Sequence, residues 1–139
     1  MVNPTKACPI LIRNMGSPQI LVFRHPIAGI QMIKGTIEPA EDPGKAALRE
    51  LHEEAGIDAT IQEDLGMWES GFDGQIWSLQ LCFTPPGLPE SWDHFCADDG
   101  GLDLRFFWHD LNCGPSHEWH SLFKSALQVI RDRYGRPKG

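Results

Sequence analysis

GTIEPAEDPGKAALRELHEEAGI, Gly35 to Ile57, is the stretch on which the reading of this chain turns. Asp42 can accept hydrogen bonds from the open N–H groups of a helix start, and Pro43 suits the first helical position. Gly56 suits the left-handed residue just past a helix end, so the segment predicts a helix over 43–55. On that helix Glu50, Glu53 and Glu54 stand at i, i+3 and i+4, which places three carboxylates on one face. Glu50 and Glu54 form a like-charge i, i+4 pair, costing roughly a few tenths of a kcal/mol in an isolated helix. One turn before Glu50 stand Ala46 and Ala47, so no base there relieves the cluster, although Arg49 lies four residues before Glu53. Leu48, Leu51 and Ala55 form an apolar stripe on another face, able to pack on a sheet and hold the acidic face rigid. Such a face suits a hard divalent cation, with magnesium, its retained waters and substrate phosphates as the natural choice. Three carboxylates alone read rather as a solvated acidic face.

Working outward, Ile10 to Arg13 and Gln19 to Arg24 read as strands around the turn NMGSP. Ile30 to Ile33 suggests a third, short strand. Beyond the helix, Ala59 to Gly66 leads through MWESGFDG into QIWSLQLCF, where Ile76, Ser78, Gln80 and Cys82 alternate with Trp77, Leu79, Leu81 and Phe83. That alternation predicts a half-buried strand. TPPGLPE is a breaker-rich loop, Leu102 to Trp108 reads as the last strand, and residues 117–134 read as a final helix. Trp119, Leu122, Phe123, Ala126, Val129 and Ile130 share one face of it, a pattern that speaks for core packing. Strands, helix, strands, helix suits a mixed sheet with helices packed on its faces.

The 139 residues fit a single domain spanning 1–139, with 41% hydrophobic and 22% charged residues in the ordinary globular range. No apolar run approaches the roughly 20 residues that span a bilayer, so no membrane partner is expected. The N-terminus is a poor signal peptide, which points to the cytoplasm. Cys8, Cys82, Cys96 and Cys113 are widely spaced, with no metal-ligand pattern, and read as buried free thiols. Twelve Lys and Arg against nineteen Asp and Glu give a formal charge of −7, which disfavours polymeric nucleic acid as a partner. A small anionic substrate is compatible with that charge if bound cations reverse the local field.

The residues around the three glutamates change the weight of the acidic face. Gly35, Glu41, Arg49, Glu50, Leu51, Glu53, Glu54, Gly56 and Ile57 occupy every specified position of the signature of the Nudix family, which this segment resembles closely. A chance match at one window is on the order of 10⁻⁹ or less at average residue usage. The resemblance implies an α/β fold, an α/β/α sandwich with a mixed β-sheet, in which the segment forms a loop–helix–loop catalytic unit. It implies that Glu50, Glu53 and Glu54 ligate magnesium, with manganese as a possible substitute, together with the backbone carbonyl of Gly35. It implies that Glu41 and Arg49 form an ion pair bracing the helix against its preceding loop. The implied reaction is attack of water on a phosphorus of a nucleoside diphosphate linked to a further group, or of a related small phosphorylated substrate. Positioning and electrostatics would carry such a reaction.

Other readings stay open at this level. Some Nudix members take the general base from the signature itself, others from an acidic residue some forty positions downstream. Asp98 and Asp99 are the main downstream candidates, as base or metal ligand, with Glu90 and Asp93 nearby and His94 as a titratable neighbour. Asp98-Asp99-Gly100-Gly101 is equally a good turn. Arg24-His25-Pro26 can contact phosphate or simply face solvent, and Trp68, Phe72 and Trp77 can stack on a base or, the favoured reading, pack in the core. Phe72 and Asp73 stand where ADP-ribose-cleaving members tend to carry Pro, and the only Tyr is Tyr134, beyond the position typical of dinucleoside-polyphosphate members. The alternative class is a Nudix-like module that binds a nucleotide without cleaving it, although such modules usually show decayed signatures. A homodimer is compatible with either.

Overall fold

A computed structural model describes residues 3–97 and 101–135; Asp98 and Asp99 lie outside the described residues. Eight strands and two helices follow one another as β1 (Lys6–Asn14), β2 (Pro18–His25), β3 (Gly29–Gln31), β4 (Gly35–Thr36), α1 (Pro43–Ala55), β5 (Thr60–Glu69), β6 (Ile76–Phe83), β7 (Ser91–Cys96), β8 (Leu102–Asp110) and α2 (Ser121–Arg133). The strands form one mixed sheet in the order β5-β6-β1-β2-β8-β7, with β3 beside β2 and β4 beside β1. The β1–β6 pair is parallel, Ala7 opposite Ser78 and Leu11 opposite Cys82, and the remaining pairs are antiparallel.

Central position explains the burial of β1. Cys8 and Ile10 join Trp77, Leu79 and the α2 residues Phe123, Ala126, Leu127 and Ile130 in one core. Leu11, on the other face, joins Leu21, Phe23, Phe106 and the α1 residues Leu51 and Ala55 in a second. One helix therefore covers each face, giving the α/β/α arrangement. Pro9 sits inside β1 without loss: the β4 pairing reaches Ala7, the β2 pairing starts at Ile12, and Pro9 falls in the gap between them.

Several expectations change. The strand β6 is buried on both faces, with Ser78 and Gln80 only 3% exposed. Gly44 of α1 leaves no side chain between helix and sheet, so Gln80 is covered, and its amide donates to the Ser78 hydroxyl at 2.8 Å. Residues 91–96, for which the sequence predicts no element, form the edge strand β7, paired to β8 with Trp92 opposite Phe106. The last helix starts at Ser121 rather than 117. Residues before it are tied to β3 instead: Ile30 donates to the Glu118 carbonyl at 3.0 Å and His120 to that of Ile30 at 3.1 Å. Trp119 is buried all the same, while Leu127, absent from the expected stripe, is fully enclosed. Cys8, Cys82 and Cys96 are buried free thiols, but Cys113 is exposed. Burial pushes the Cys8 thiol up to about 12.

Candidate active site on helix α1

Local capping sets the helix that carries the carboxylates. The Asp42 side chain accepts from the Lys45 N–H at 3.1 Å, Pro43 opens the helix, and Gly56 closes it at φ 72° with its N–H on the His52 carbonyl. Small residues let the helix lie close on the sheet: Ala46 and Ala47 are fully buried against Ala7 and Ile37. Leu51 and Ala55 are buried as the apolar stripe requires, so the opposite face is held towards a cleft.

Arg49 organises that face. Its Nε and Nη2 donate to the two Glu41 oxygens at 2.9 Å each, and Nη2 also donates to the Thr36 carbonyl at 2.9 Å. Nη1 reaches Glu50 at 2.9 Å and Glu53 at 3.4 Å. A planar guanidinium can make all these contacts at once where a lysine cannot. The loop residue Glu41 also accepts from the Glu38 N–H at 2.9 Å, and Ala40 before it holds φ 63°, outside the usual range for a residue with a side chain. The Arg49 hydrogen bonds and the Glu38 N–H hold the Glu41 carboxyl down to about 2, and the same pairing raises Arg49 further above its ordinary value.

Glu50, only 8% exposed, lies directly against Gly35: a Cβ added there would land on the Glu50 carboxylate. The obstacle is the tip of a flexible side chain, so Gly35→Ala is expected to leave the thermal midpoint near that of the wild type. It should displace Glu50 and lower turnover and magnesium affinity about tenfold, as small displacements at a reacting centre do. Parallel thermal melts and magnesium titrations of activity check this. A wild-type magnesium dependence would mean that the contact has no role.

Glu50, Glu53, Glu54 and Gly35 line one wall of a cleft of about 720 Å³. Among the described residues no group of three or more His, Cys, Asp or Glu side chains is placed to hold a metal ion by itself. Instead three carboxylates and a backbone segment share an open wall, partly engaged by Arg49. That donor set fits a hard divalent cation that keeps several waters and is completed by substrate oxygens, rather than a fully enclosed one.

Of the basic residues that line the cleft beyond Arg49, the sequence pointed only to His25. Lys6 and Lys34 line it, with His25 at its rim. Pairing of β1 with β4 sets Lys6 opposite Thr36, and the Lys6 ammonium donates to the Thr36 hydroxyl at 2.8 Å. Lys34 donates to the Gln75 amide oxygen at 2.7 Å and lies 5.1 Å from the Trp77 ring centre and 5.6 Å from that of Phe72. Burial, then the nearby Lys6 charge, lowers the Lys34 pKa. A lysine next to Gly35 and another near the N-terminus carry no motif that could have flagged them. Of the Arg24-His25-Pro26 trio only His25 lines the cleft; Arg24 pairs with Glu118 at 2.6 Å.

The other sequence candidates are distributed differently. Trp77 is in the core and Trp68 packs edge-on against it at 5.0 Å, but Phe72 is 48% exposed. Glu90 and Asp93 are taken by arginines, Arg13 at 2.6 Å and Arg105 at 2.6 Å, and do not line the cleft. His94 packs on Gly56 at the end of α1, in an adjoining hollow that Glu53 also lines.

Comparison with known proteins decides the family. The model of the NUDIX domain matches residues 3–113. The chain belongs to the NUDIX family. Human diphosphoinositol polyphosphate phosphohydrolase 3-alpha is 37% identical over 97 residues, covering 70% of this chain and 49% of that protein. The chain thus spans about half the length of the curated relatives it matches. Among solved structures, the E. coli ORF135 protein has a TM-score of 0.66 at 22% identity, covering 96% of this chain and 93% of that one. A NUDIX-family hydrolase from Clostridium perfringens has a TM-score of 0.63 at 16% identity, with 94% and 98% covered. These likenesses bear out the α/β fold with a mixed eight-stranded sheet and two helices.

Proposed function

We propose that this NUDIX-family chain hydrolyses a diphosphate linkage in a small phosphorylated substrate, with magnesium, or manganese in its place, as the activating ion. The observation that carries the proposal is the cleft wall on which Glu50, Glu53, Glu54 and Gly35 meet, braced through Arg49 and Glu41. In this reading the three carboxylates and the Gly35 carbonyl hold the ion. When bound, it neutralises diphosphate oxygens and makes a coordinated water more acidic. Arg49 holds Glu50 and Glu53 in place while its two bonds to Glu41 keep the loop from drifting off the helix. A carboxylate accepts the proton as water oxygen attacks phosphorus and the bridging P–O bond breaks. Among the described residues Glu53 and Glu54 are the groups on the cleft wall suited to that transfer; Asp98 and Asp99 are the further candidates from the sequence.

A nucleoside diphosphate linked to another group is the general substrate class, and the curated relatives' names add diphosphorylated inositol polyphosphates to the set to be assayed. No helix among the described residues is long and apolar enough to cross a membrane. The deciding experiment is a panel assayed at saturating magnesium by separating the phosphorylated products: ADP-ribose, nucleoside triphosphates, dinucleoside polyphosphates and a diphosphoinositol polyphosphate. Cleavage of at least one at the diphosphate, with solvent oxygen incorporated into one of the two phosphate-bearing products, is the expected result. Inertness towards the whole panel, with the protein folded and magnesium bound, would overturn the proposal.

A further inference from the structure

The cleft continues past its acidic wall. At the C-terminal end of α1 an adjoining hollow of about 510 Å³ shares Glu53 and Cys96 with it. Pockets of roughly 300–1,000 Å³ are the size that small ligands occupy. We infer that this hollow, between His52, His94 and Phe95, is the subsite for the group beyond the diphosphate, and that it takes a neutral ring bearing hydroxyls, such as a sugar. The inference rests on the reading of the cleft as a diphosphate-hydrolysing site and names the substrate class that site prefers.

Three observations carry it. The first is charge. No lysine or arginine lines the hollow, and its strong hydrogen-bonding side chains are the Glu53 carboxylate and the imidazoles of His52 and His94. A second carboxylate stands close by: His52 Nδ1 donates to Asp58 at 2.8 Å, which fixes the His52 ring. A phosphate placed there would meet carboxylates with no lysine or arginine to offset them. A hydroxyl donates to a carboxylate, and it can either donate to or accept from an imidazole.

The second observation is His94 itself. Its ring lies against Gly56, where an added Cβ would come within 3.0 Å of Cδ2 and Nε2. Nδ1 is buried without a hydrogen-bond partner among the described residues. A buried unpaired nitrogen costs stability, and an apolar side chain would pack on Gly56 without that cost. Packing therefore does not account for an imidazole at this position.

The third is Phe95. It is 61% exposed beside His94, and the tip of its ring rests on Gly101, where a Cβ would come within 2.8 Å. Hydroxylated rings have apolar C–H faces and polar edges. An exposed aromatic face, electron-rich towards C–H groups, next to hydrogen-bonding walls matches both.

Binding tests this apart from turnover. The probes are α,β-methylene-ADP and the corresponding methylene analogues of ADP-ribose and ADP-glucose, which differ from it only by the added sugar. Each is titrated by calorimetry into the full chain with magnesium present. At least one sugar analogue is expected to bind about tenfold or more tightly than α,β-methylene-ADP, the effect of one or two hydrogen bonds. His94→Leu keeps a side chain on Gly56, and Phe95→Ser changes an exposed position. Each is expected to cut that ratio below about threefold, and loss of the ratio in either supports the subsite. A disturbance of α1 or of the metal site would instead weaken all three probes alike. No sugar gain in the wild type, or a ratio unchanged in both variants, would overturn the inference. If His94→Leu fails to fold, Phe95→Ser decides. A sugar gain lost in the variants of a chain that cleaves none of the panel would sink the hydrolase proposal and leave the subsite standing. Cleavage of the panel without any sugar gain would do the reverse.

Discussion

Exhaustive chelation of divalent cations is expected to abolish hydrolysis, and Glu53→Gln and Glu54→Gln are each expected to lower turnover at least about 10²-fold at saturating magnesium. The amide preserves the size of the side chain and removes the charge, so the change isolates electrostatics from packing. Glu53 is exposed and reaches Arg49 only at 3.4 Å, and Glu54 is half-buried on the cleft wall. Neither carboxylate supports the apolar core, so both variants should fold. Glu54→Gln also removes one member of the like-charge pair with Glu50 and is expected to leave the helix as stable or slightly more so. Thermal melts, magnesium titrations and rates on the identified substrate separate these effects. Equal turnover in wild type and both variants, or a full rate after chelation, would return the carboxylates to a solvated helix face.

The acidic helix was legible in the sequence because its determinants are local. Asp42, Pro43 and Gly56 act on the backbone within one turn of themselves, and the helix begins and ends where they place it. The edge strand β7 was not legible, because six residues between a proline-rich loop and a glycine pair have no strand signal of their own. Trp92 becomes a strand residue by pairing opposite Phe106, stacking on its ring at 5.4 Å and donating its indole N–H to the Ala55 carbonyl. All three contacts are distant in sequence. The same holds for Gln80, whose burial depends on a glycine in α1, and for the basic wall of the cleft. Lys6 and Lys34 stand 28 positions apart and meet only because β4 pairs with the start of β1. Arg49 shows both regimes at once. Its spacing to Glu53 was readable as i, i+4, but its neighbour Glu50 and the loop carbonyl of Thr36 became partners through the loop's path over the helix.

Arg49→Ala is expected to differ in kind from the glutamine variants, losing stability as well as rate. Five hydrogen bonds tie this guanidinium to Thr36, Glu41, Glu50 and Glu53, so its removal frees the loop and leaves carboxylates facing one another. A thermal midpoint several degrees lower and a turnover reduced roughly 10- to 100-fold are the expected outcomes. A double-mutant cycle with Glu41→Ala tests whether the pair acts as a unit; additive losses would show that it does not. The pH dependence gives a second, independent check. Glu41 falls from 4.5 to about 2 in the folded chain, so it binds its proton more weakly there than when unfolded. The unfolded state therefore takes up protons first as the pH drops. The Glu41 contribution is fully present above about 4.5 and is lost as the pH falls through about 2. Glu90, Asp93 and Asp110 are also lowered, by Arg13, by Arg105, and by the Asn112 N–H with the Ser17 hydroxyl. Those three titrate alike in wild type and variant and cancel in the difference. The gap in stability between wild type and Arg49→Ala should thus be constant from neutral pH to about 5 and narrow steadily below it. A gap independent of pH down to 2 would place the role of Arg49 with the Thr36 carbonyl and remove Glu41 from the brace.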